Sequence, residues 1–185
     1  KGCLAMHPSD RIRGTAGTSL QGKTVVLALC GSIAAVESVQ LAREIIRHGA
    51  KVVAVLSKAA QGIVTKEALE FATGVPAITR ITGQVEHVRY CGGPPREADV
   101  LLIAPATANT LSKFALGIDD TPVTTFATTA LGSGMPVVVA PAMHGAMLDN
   151  PMVKERLKEL HARGVVFVDP LIEEGKAKMA PPEDM

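Results

Sequence analysis

The chain has 185 residues, the length of one ordinary domain with a sizeable core. Apolar residues make up 47% of it, which excludes a disordered chain. Formal net charge is +1 with the basic residues unclustered, and only 3% of residues are aromatic, so neither a basic stripe nor a stacking platform for nucleic acid is present.

Residues 1–22 read as an irregular N-terminal arm. Thr24–Cys30 is an apolar run suited to a fully buried strand. After Gly31-Ser32, the stretch Ile33–His48 predicts a helix closed by Gly49. Lys51–Leu56 is a second strand. Ser57 caps a short helix after it, and Thr65 caps another that runs through Thr73 to Gly74. Val85–Val88 is a short strand candidate, and Cys91–Pro95 predicts a loop. Val100–Ala104 is a strand ended by Pro105. Thr107–Leu116 predicts a helix ending at Gly117, and Val123–Leu131 a further one. Val137–Ala140 is a strand stopped by Pro141. Asn150 caps a helix with Pro151 in its first position, running to about Arg163. Val165–Val168 is the last strand, and residues 170–185 form a charged, Pro-containing tail or linker.

With no Trp and one Tyr, the core must come from Ala, Val, Leu and Ile. That suits the continuous aliphatic strands of a parallel sheet covered by helices. The alternation of strands and helices specifies an α/β fold, a Rossmann-like doubly wound parallel sheet in a single domain spanning 23–169. The three cysteines, Cys3, Cys30 and Cys91, include no CxxC, which argues against a disulfide framework or a zinc site and fits a reducing compartment. The N-terminal stretch has no hydrophobic segment and no apolar run approaches the ~18 residues of a membrane helix. A cytoplasmic protein is expected, with no metal, no membrane span and no nucleic-acid partner.

In doubly wound sheets ligands sit outside the C-terminal ends of the strands. Three loops fall there. The first, Cys30-Gly31-Ser32-Ile33-Ala34-Ala35, joins a buried strand to a helix start, where free N–H groups and the helix dipole favour a phosphate. It is neither GxGxxG nor GxxxxGK[ST], so a mononucleotide fits better than a dinucleotide or a triphosphate. An ordinary strand-to-helix turn would look the same. The second, Ala104 to Asn109, offers small residues with Thr107 and Asn109 to line a flat ligand, although Thr107 is also a good helix cap. The third, Pro141 to Met147, carries Met143 and His144. Met suits contact with an aromatic ring system, while the four-residue spacing of Met143 and Met147 equally fits a core face.

Of the histidines, His48 and His161 each precede a helix-ending glycine and suit helix C-terminal carbonyls. His7 lies in the arm. His87 and His144 remain, both near strand ends on the active edge and able to exchange a proton near neutral pH. The glycines and prolines after Cys91 argue against a helix that would set it on one face with His87 as a nucleophile pair.

Together these segments resemble the homo-oligomeric flavin-containing cysteine decarboxylases, and among them the phosphopantothenoylcysteine decarboxylase domain of the archaeal bifunctional coenzyme A biosynthesis proteins. The residues concerned are Gly31-Ser32-Ile33-Ala34-Ala35, Arg47-His48-Gly49-Ala50, Glu86-His87, Ala98-Asp99, Pro105-Ala106-Thr107-Ala108-Asn109, Asp119-Asp120 and Pro141-Ala142-Met143-His144 with Met147. Met6-His7-Pro8 and Glu173 to Lys178 resemble the archaeal branch. The resemblance implies FMN, its phosphate at Gly31 and Ser32, with Ser57, Ala106, Thr107 and Asn109 at the phosphate or flavin edge and Ile33 and Met143 near the ring. It implies hydride removal from the cysteinyl Cβ, loss of CO2 from the thioaldehyde, and return of the electrons to give 4′-phosphopantetheine. His87 matches the family's catalytic histidine, a base for the thiol proton.

Two departures stand out. His144 occupies the place of an Asn in the bacterial motif, where it would donate to the substrate carboxylate. After Val168 there is no cysteine, whereas the bacterial family reduces the enethiol with one in a late loop. Another donor, with Lys176 and Lys178 in that tail, is the preferred replacement. Cys91 and a reaction that stops at the enethiol are the others. The resemblance also implies a homotrimer or dodecamer with FMN between subunits, and fusion to a synthetase domain in a longer chain. A flavin prenyltransferase of related fold and a non-enzymatic FMN-binding regulatory protein are the alternative functions.

Overall fold

Helix α1 (Pro8–Ile12) opens the fold, capped by His7, whose ring Nδ1 accepts the Ser9 N–H at 3.2 Å. The computed structural model describes residues 6–174 and 176–182. Cys3 and the outermost parts of the arm and tail lie outside them.

Strand β1 (Thr24–Leu29) is followed by a 3-10 turn, Ile33–Glu37, and helix α2 (Ser38–Arg47). The single helix expected over Ile33–His48 is therefore divided, its first turn tightened as helix starts often are. Next come β2 (Lys51–Leu56) and α3 (Lys66–Thr73), the latter capped by Thr65 and closed by Gly74 at φ 79°. Gly74 adopts a left-handed conformation that other residues reach only with strain.

The stretch expected as a strand at Val85–Val88 is helix α4 (Glu86–Cys91). The four residues Val-Glu-His-Val do not alternate, and so short a stretch does not decide between strand and helix. Here bonds to the preceding loop decide: the Glu86 carboxylate accepts the Thr82 N–H at 2.9 Å and the Thr82 hydroxyl. Val85, just before it, is held at φ 48°, a conformation costly for a β-branched side chain. The helix also corrects the expectation of a loop at Cys91: His87 and Cys91 stand four residues apart on one face.

Strand β3 (Val100–Ala106) continues through Pro105 rather than ending there. Its register shifts between Ile103 and Ala106, which accommodates the missing N–H, and the Pro105 carbonyl still accepts the Cys30 N–H at 3.2 Å. Helices α5 (Ala108–Ala115) and α6 (Pro122–Gly132) precede β4 (Val137–Pro141). Then follow β5 (Met143–His144), the single turn α7 (Gly145–Leu148), α8 (Pro151–Ala162) and β6 (Val166–Phe167).

The segment expected as a tail or linker folds back as a hairpin, β7 (Leu171–Glu173) and β8 (Lys176–Lys178), and β8 pairs antiparallel with β5. The main sheet has the order β2-β1-β3-β4-β6, every pair parallel. This is the Rossmann-like doubly wound α/β arrangement in one domain. Alternation along β1 sends Val25, Leu27 and Leu29 to the α2–α3 face and Val26, Ala28 and Cys30 to the face covered by α5, α6 and α8. The chain leaves β1 for β2 on one side and returns to β3 on the other. The crevice at the C-terminal ends of β1 and β3 is thus a topological switch point.

Candidate active site

A cavity of about 800 Å³ opens at that crevice, within the range of small-ligand sites. Its lining joins the loops after β1, β2, β3 and β4: Gly31 and Ser32, Ser57 and Lys58, Thr107 to Thr110, and Ala142, Met143 and Met147. Each loop is set by its own local bonds. Ser32 accepts the Ala34 N–H at 3.4 Å and starts the 3-10 turn. Gly31 is required by proximity: a Cβ there would stand 2.4 Å from the Ala59 Cβ. The Ser57 hydroxyl accepts the Ala60 N–H at 3.1 Å. Thr107 caps α5 by accepting the Thr110 N–H at 3.3 Å. The Ala142 N–H donates to the Ala106 carbonyl at 2.9 Å, locking the third loop to the second.

Of the residues expected to hold a cofactor, Gly31, Ser32, Ser57, Thr107, Asn109 and Met143 line this cavity together. Ala106 does not; its side chain is buried in the core and its carbonyl is taken by Ala142. Ile33, 77% exposed, lines an adjoining cavity of about 390 Å³ with His144. That second cavity shares Ser32, Ala142 and Met143 with the first. His144 is the N-cap of α7: its Nδ1 accepts the Ala146 N–H at 3.4 Å, which leaves Nε2 to carry the ring proton and donate.

Sequence reasoning missed Lys58 and Thr121, which also line the larger cavity. Lys58 is the one charged side chain in that lining among the described residues, and its place just past the end of β2 was the available signal.

His87 lines neither cavity. It sits in the first turn of α4, and its Nδ1 is buried with no hydrogen-bond partner among the described residues. Ile78 bridges to Val55 near the end of β2, while Ala98 returns to the Tyr90 carbonyl before β3 begins. The first turn of α4 therefore lies toward the C-terminal edge. Beside His87, burial raises the Glu86 carboxyl, but the Thr82 hydroxyl and N–H, its own N–H and the His87 charge outweigh that and hold it below the usual carboxylate range. Burial pushes the Cys91 thiol up to about 12, so its thiolate is scarce at neutral pH. Cys30, fully buried, is likewise raised by burial, partly offset by hydrogen bonds from Thr110 and Thr107.

The Flavoprotein family profile matches residues 13–185. The chain belongs to the Flavoprotein family. A curated relative of this flavoprotein, the coenzyme A biosynthesis bifunctional protein CoaBC of Thermococcus kodakarensis, is 53% identical over 180 residues. The match takes in 97% of this chain and 44% of the relative, so the chain spans less than half the length of that protein. The crystal structure of the FMN-dependent cysteine decarboxylase SpaF superposes with a TM-score of 0.76 at 27% identity, covering 88% of this flavoprotein and 92% of SpaF. A PPC decarboxylase mutant complexed with pantothenoylaminoethenethiol superposes with a TM-score of 0.70 at 29% identity, covering 87% and 92%.

Proposed function

We propose that this flavoprotein is an FMN-dependent decarboxylase of (R)-4′-phosphopantothenoylcysteine, acting in coenzyme A biosynthesis in the cytoplasm. The convergence of the loops after β1, β3 and β4 on one cavity of mononucleotide size carries the proposal. The donor set fits FMN: Ser32, Ser57 and Lys58 suit a phosphate, Thr107 and Asn109 a polar ring edge, and Met143 a ring face. When bound, FMN supplies a two-electron acceptor for the cysteinyl side chain.

The chain's own residues handle the protons and the carboxylate. His87 takes the thiol proton, because a free thiol with a pKa near ~8.5 is mostly protonated at neutral pH. His144 donates from Nε2 to the substrate carboxylate, holding it in the smaller cavity next to Met143, which both cavities share. Cys91 is ill placed as the donor for the later reduction, since its side chain is fully buried and lines neither cavity.

His87 must reach the cavity from another copy. Val85 and Val88, flanking it, are exposed, as are Ile33, Val36 and Met147 around the cavities. These apolar surfaces support the homotrimer or dodecamer that the family resemblance implies, with His87 of one copy completing the site of the next. The bifunctional make-up of the Thermococcus relative supports the implied pairing with a synthetase domain. Purified protein mixed with FMN should bind it and release CO2 from phosphopantothenoylcysteine. Absence of both FMN binding and CO2 release would overturn the proposal.

A further inference from the structure

We infer that Thr82 and Glu86 form a clamp that aims His87, which makes Glu86 a positioning residue for the base. The role of His87 rests on the decarboxylase reading above; the clamp rests on the geometry at the start of α4.

Helix α4 has six residues, and its two ends are held in different ways. The C-terminal end is anchored on α6. The Tyr90 ring stacks on Phe126 with centroids 6.5 Å apart, and the hydroxyl of Ser133, just past α6, donates to the Cys91 carbonyl at 2.6 Å. The N-terminal end carries His87 and receives no side-chain cap from Val85. It is tied to the preceding loop instead. The Glu86 carboxylate accepts the Thr82 N–H at 2.9 Å and the Thr82 hydroxyl. The Thr82 hydroxyl oxygen also accepts the Gln84 N–H at 3.1 Å, and the Thr82 carbonyl accepts the Val85 N–H at 3.1 Å. Thr82 thus gathers the bonds of the whole turn, and Glu86 closes it from the helix side.

That turn needs holding. Val85 sits at φ 48° and ψ 48°, and a β-branched residue persists there only where its surroundings fix it. The Thr82–Glu86 bonds span Val85 and do so. Burial raises the Glu86 carboxyl, but the Thr82 donors bring it below the usual carboxylate range, so it is ionised and able to accept at neutral pH.

The ring of His87 depends on this turn. A reacting histidine is commonly oriented by a hydrogen bond on its other ring nitrogen. The Nδ1 of His87 is buried with no hydrogen-bond partner among the described residues. It is already covered within one chain, so a neighbouring copy does not supply the missing bond. The aim of the ring therefore comes from the backbone of the first turn, which the clamp sets.

Thr82→Val removes the hydroxyl at nearly constant shape, and Thr82→Ser keeps it. In FMN-saturated protein, at a temperature where each variant is folded, Thr82→Val should lower the turnover number by about tenfold or more, with KM and the FMN dissociation constant within about twofold of the unaltered values. Glu86→Gln, which can accept at only one side-chain atom, should show the same split, and Thr82→Ser should retain the turnover. A merely stabilising bond would lower the melting temperature and leave the turnover of the folded protein unchanged. The ring itself gives a readout that needs no substrate. In protein labelled with carbon-13 at the histidine rings, the His87 line, assigned by its loss in His87→Asn, should be sharp in the unaltered protein and in Thr82→Ser, and broadened or split in Thr82→Val and Glu86→Gln. An unchanged turnover number in Thr82→Val and Glu86→Gln, or a His87 line as sharp in them as in the unaltered protein, would overturn the clamp. If the unaltered protein releases no CO2, the decarboxylase reading fails and the ring line still decides the clamp.

Discussion

His144 and Lys176 face one another directly across the antiparallel β5–β8 ladder. This one pair ties the C-terminal hairpin to the loop after β4, so the tail becomes a wall of the site. The buried Met143–Ala177 pair beside it fixes the register, because a slip of one residue would turn Lys176 inward.

His144 caps α7 and lines the smaller cavity, where the proposed function makes it a donor to the substrate carboxylate. Replacement by Ala should cost about 1 kcal/mol of stability from the lost cap. It should also lower kcat/KM for decarboxylation by about a hundredfold, as expected for a lost charge-assisted hydrogen bond. His144→Asn, which can cap the helix and still donate, should retain the stability and most of the turnover. Urea midpoints and steady-state kinetics on both variants check this.

Gly31 is needed for its size, since its would-be Cβ meets the Ala59 Cβ at 2.4 Å. Gly31→Ala should destabilise the fold by about 1–3 kcal/mol and weaken FMN binding, as the loops after β1 and β2 are pushed apart. The double variant Gly31→Ala, Ala59→Gly should recover most of both losses. Denaturant titration and flavin-fluorescence titration of the two variants measure the recovery.

Lys58 is the charged side chain in the larger cavity. Lys58→Met should weaken FMN binding by about five- to tenfold, and the loss should shrink as salt is added because the charge is exposed. An affinity unchanged by the substitution at low salt would place the FMN phosphate elsewhere.

The raised Cys91 thiol has a consequence for stability. Its ordinary value is 9.0, and burial pushes it up to about 12 in the folded chain. Its contribution is complete below pH 9 and is lost as pH climbs toward 12, because only the unfolded chain ionises in that window. The slope is about 1.4 kcal/mol per pH unit. Urea midpoints between pH 9 and pH 11 should fall more steeply in the unaltered protein than in Cys91→Ala.

Much of the fold could be read directly from residue types. The Thr65 and Gly74 limits of α3 and the Asn150-Pro151 start of α8 are written in cap and breaker residues, whose chemistry is local. So are the buried aliphatic strands. The misreadings have physical causes. At Val85–Val88 two β-branched valines suit a strand, but they stand three apart, a helical spacing, and the Thr82–Glu86 bonds and the left-handed Val85 start a helix. At Pro105 a register shift lets the strand continue. The β7–β8 hairpin has no apolar run to announce it; Leu171, Ile172 and Glu173 are all exposed, and its pairing with β5 is long-range. In the site, the loop residues were legible because strand ends on one edge of a parallel sheet must converge. The distance of His87 from the cavity was not, since it depends on where α4 packs.

The central claim is FMN-dependent cysteine decarboxylation with His87 as base. Its most direct measurement is the flavin absorbance of the FMN-loaded protein, followed without air as phosphopantothenoylcysteine is added, in parallel with released CO2. The unaltered protein should bleach transiently and release CO2, while His87→Asn should stay yellow and release none. A flavin that never bleaches in the unaltered protein, or a His87→Asn variant that bleaches and releases CO2 at the same rate, would contradict the account.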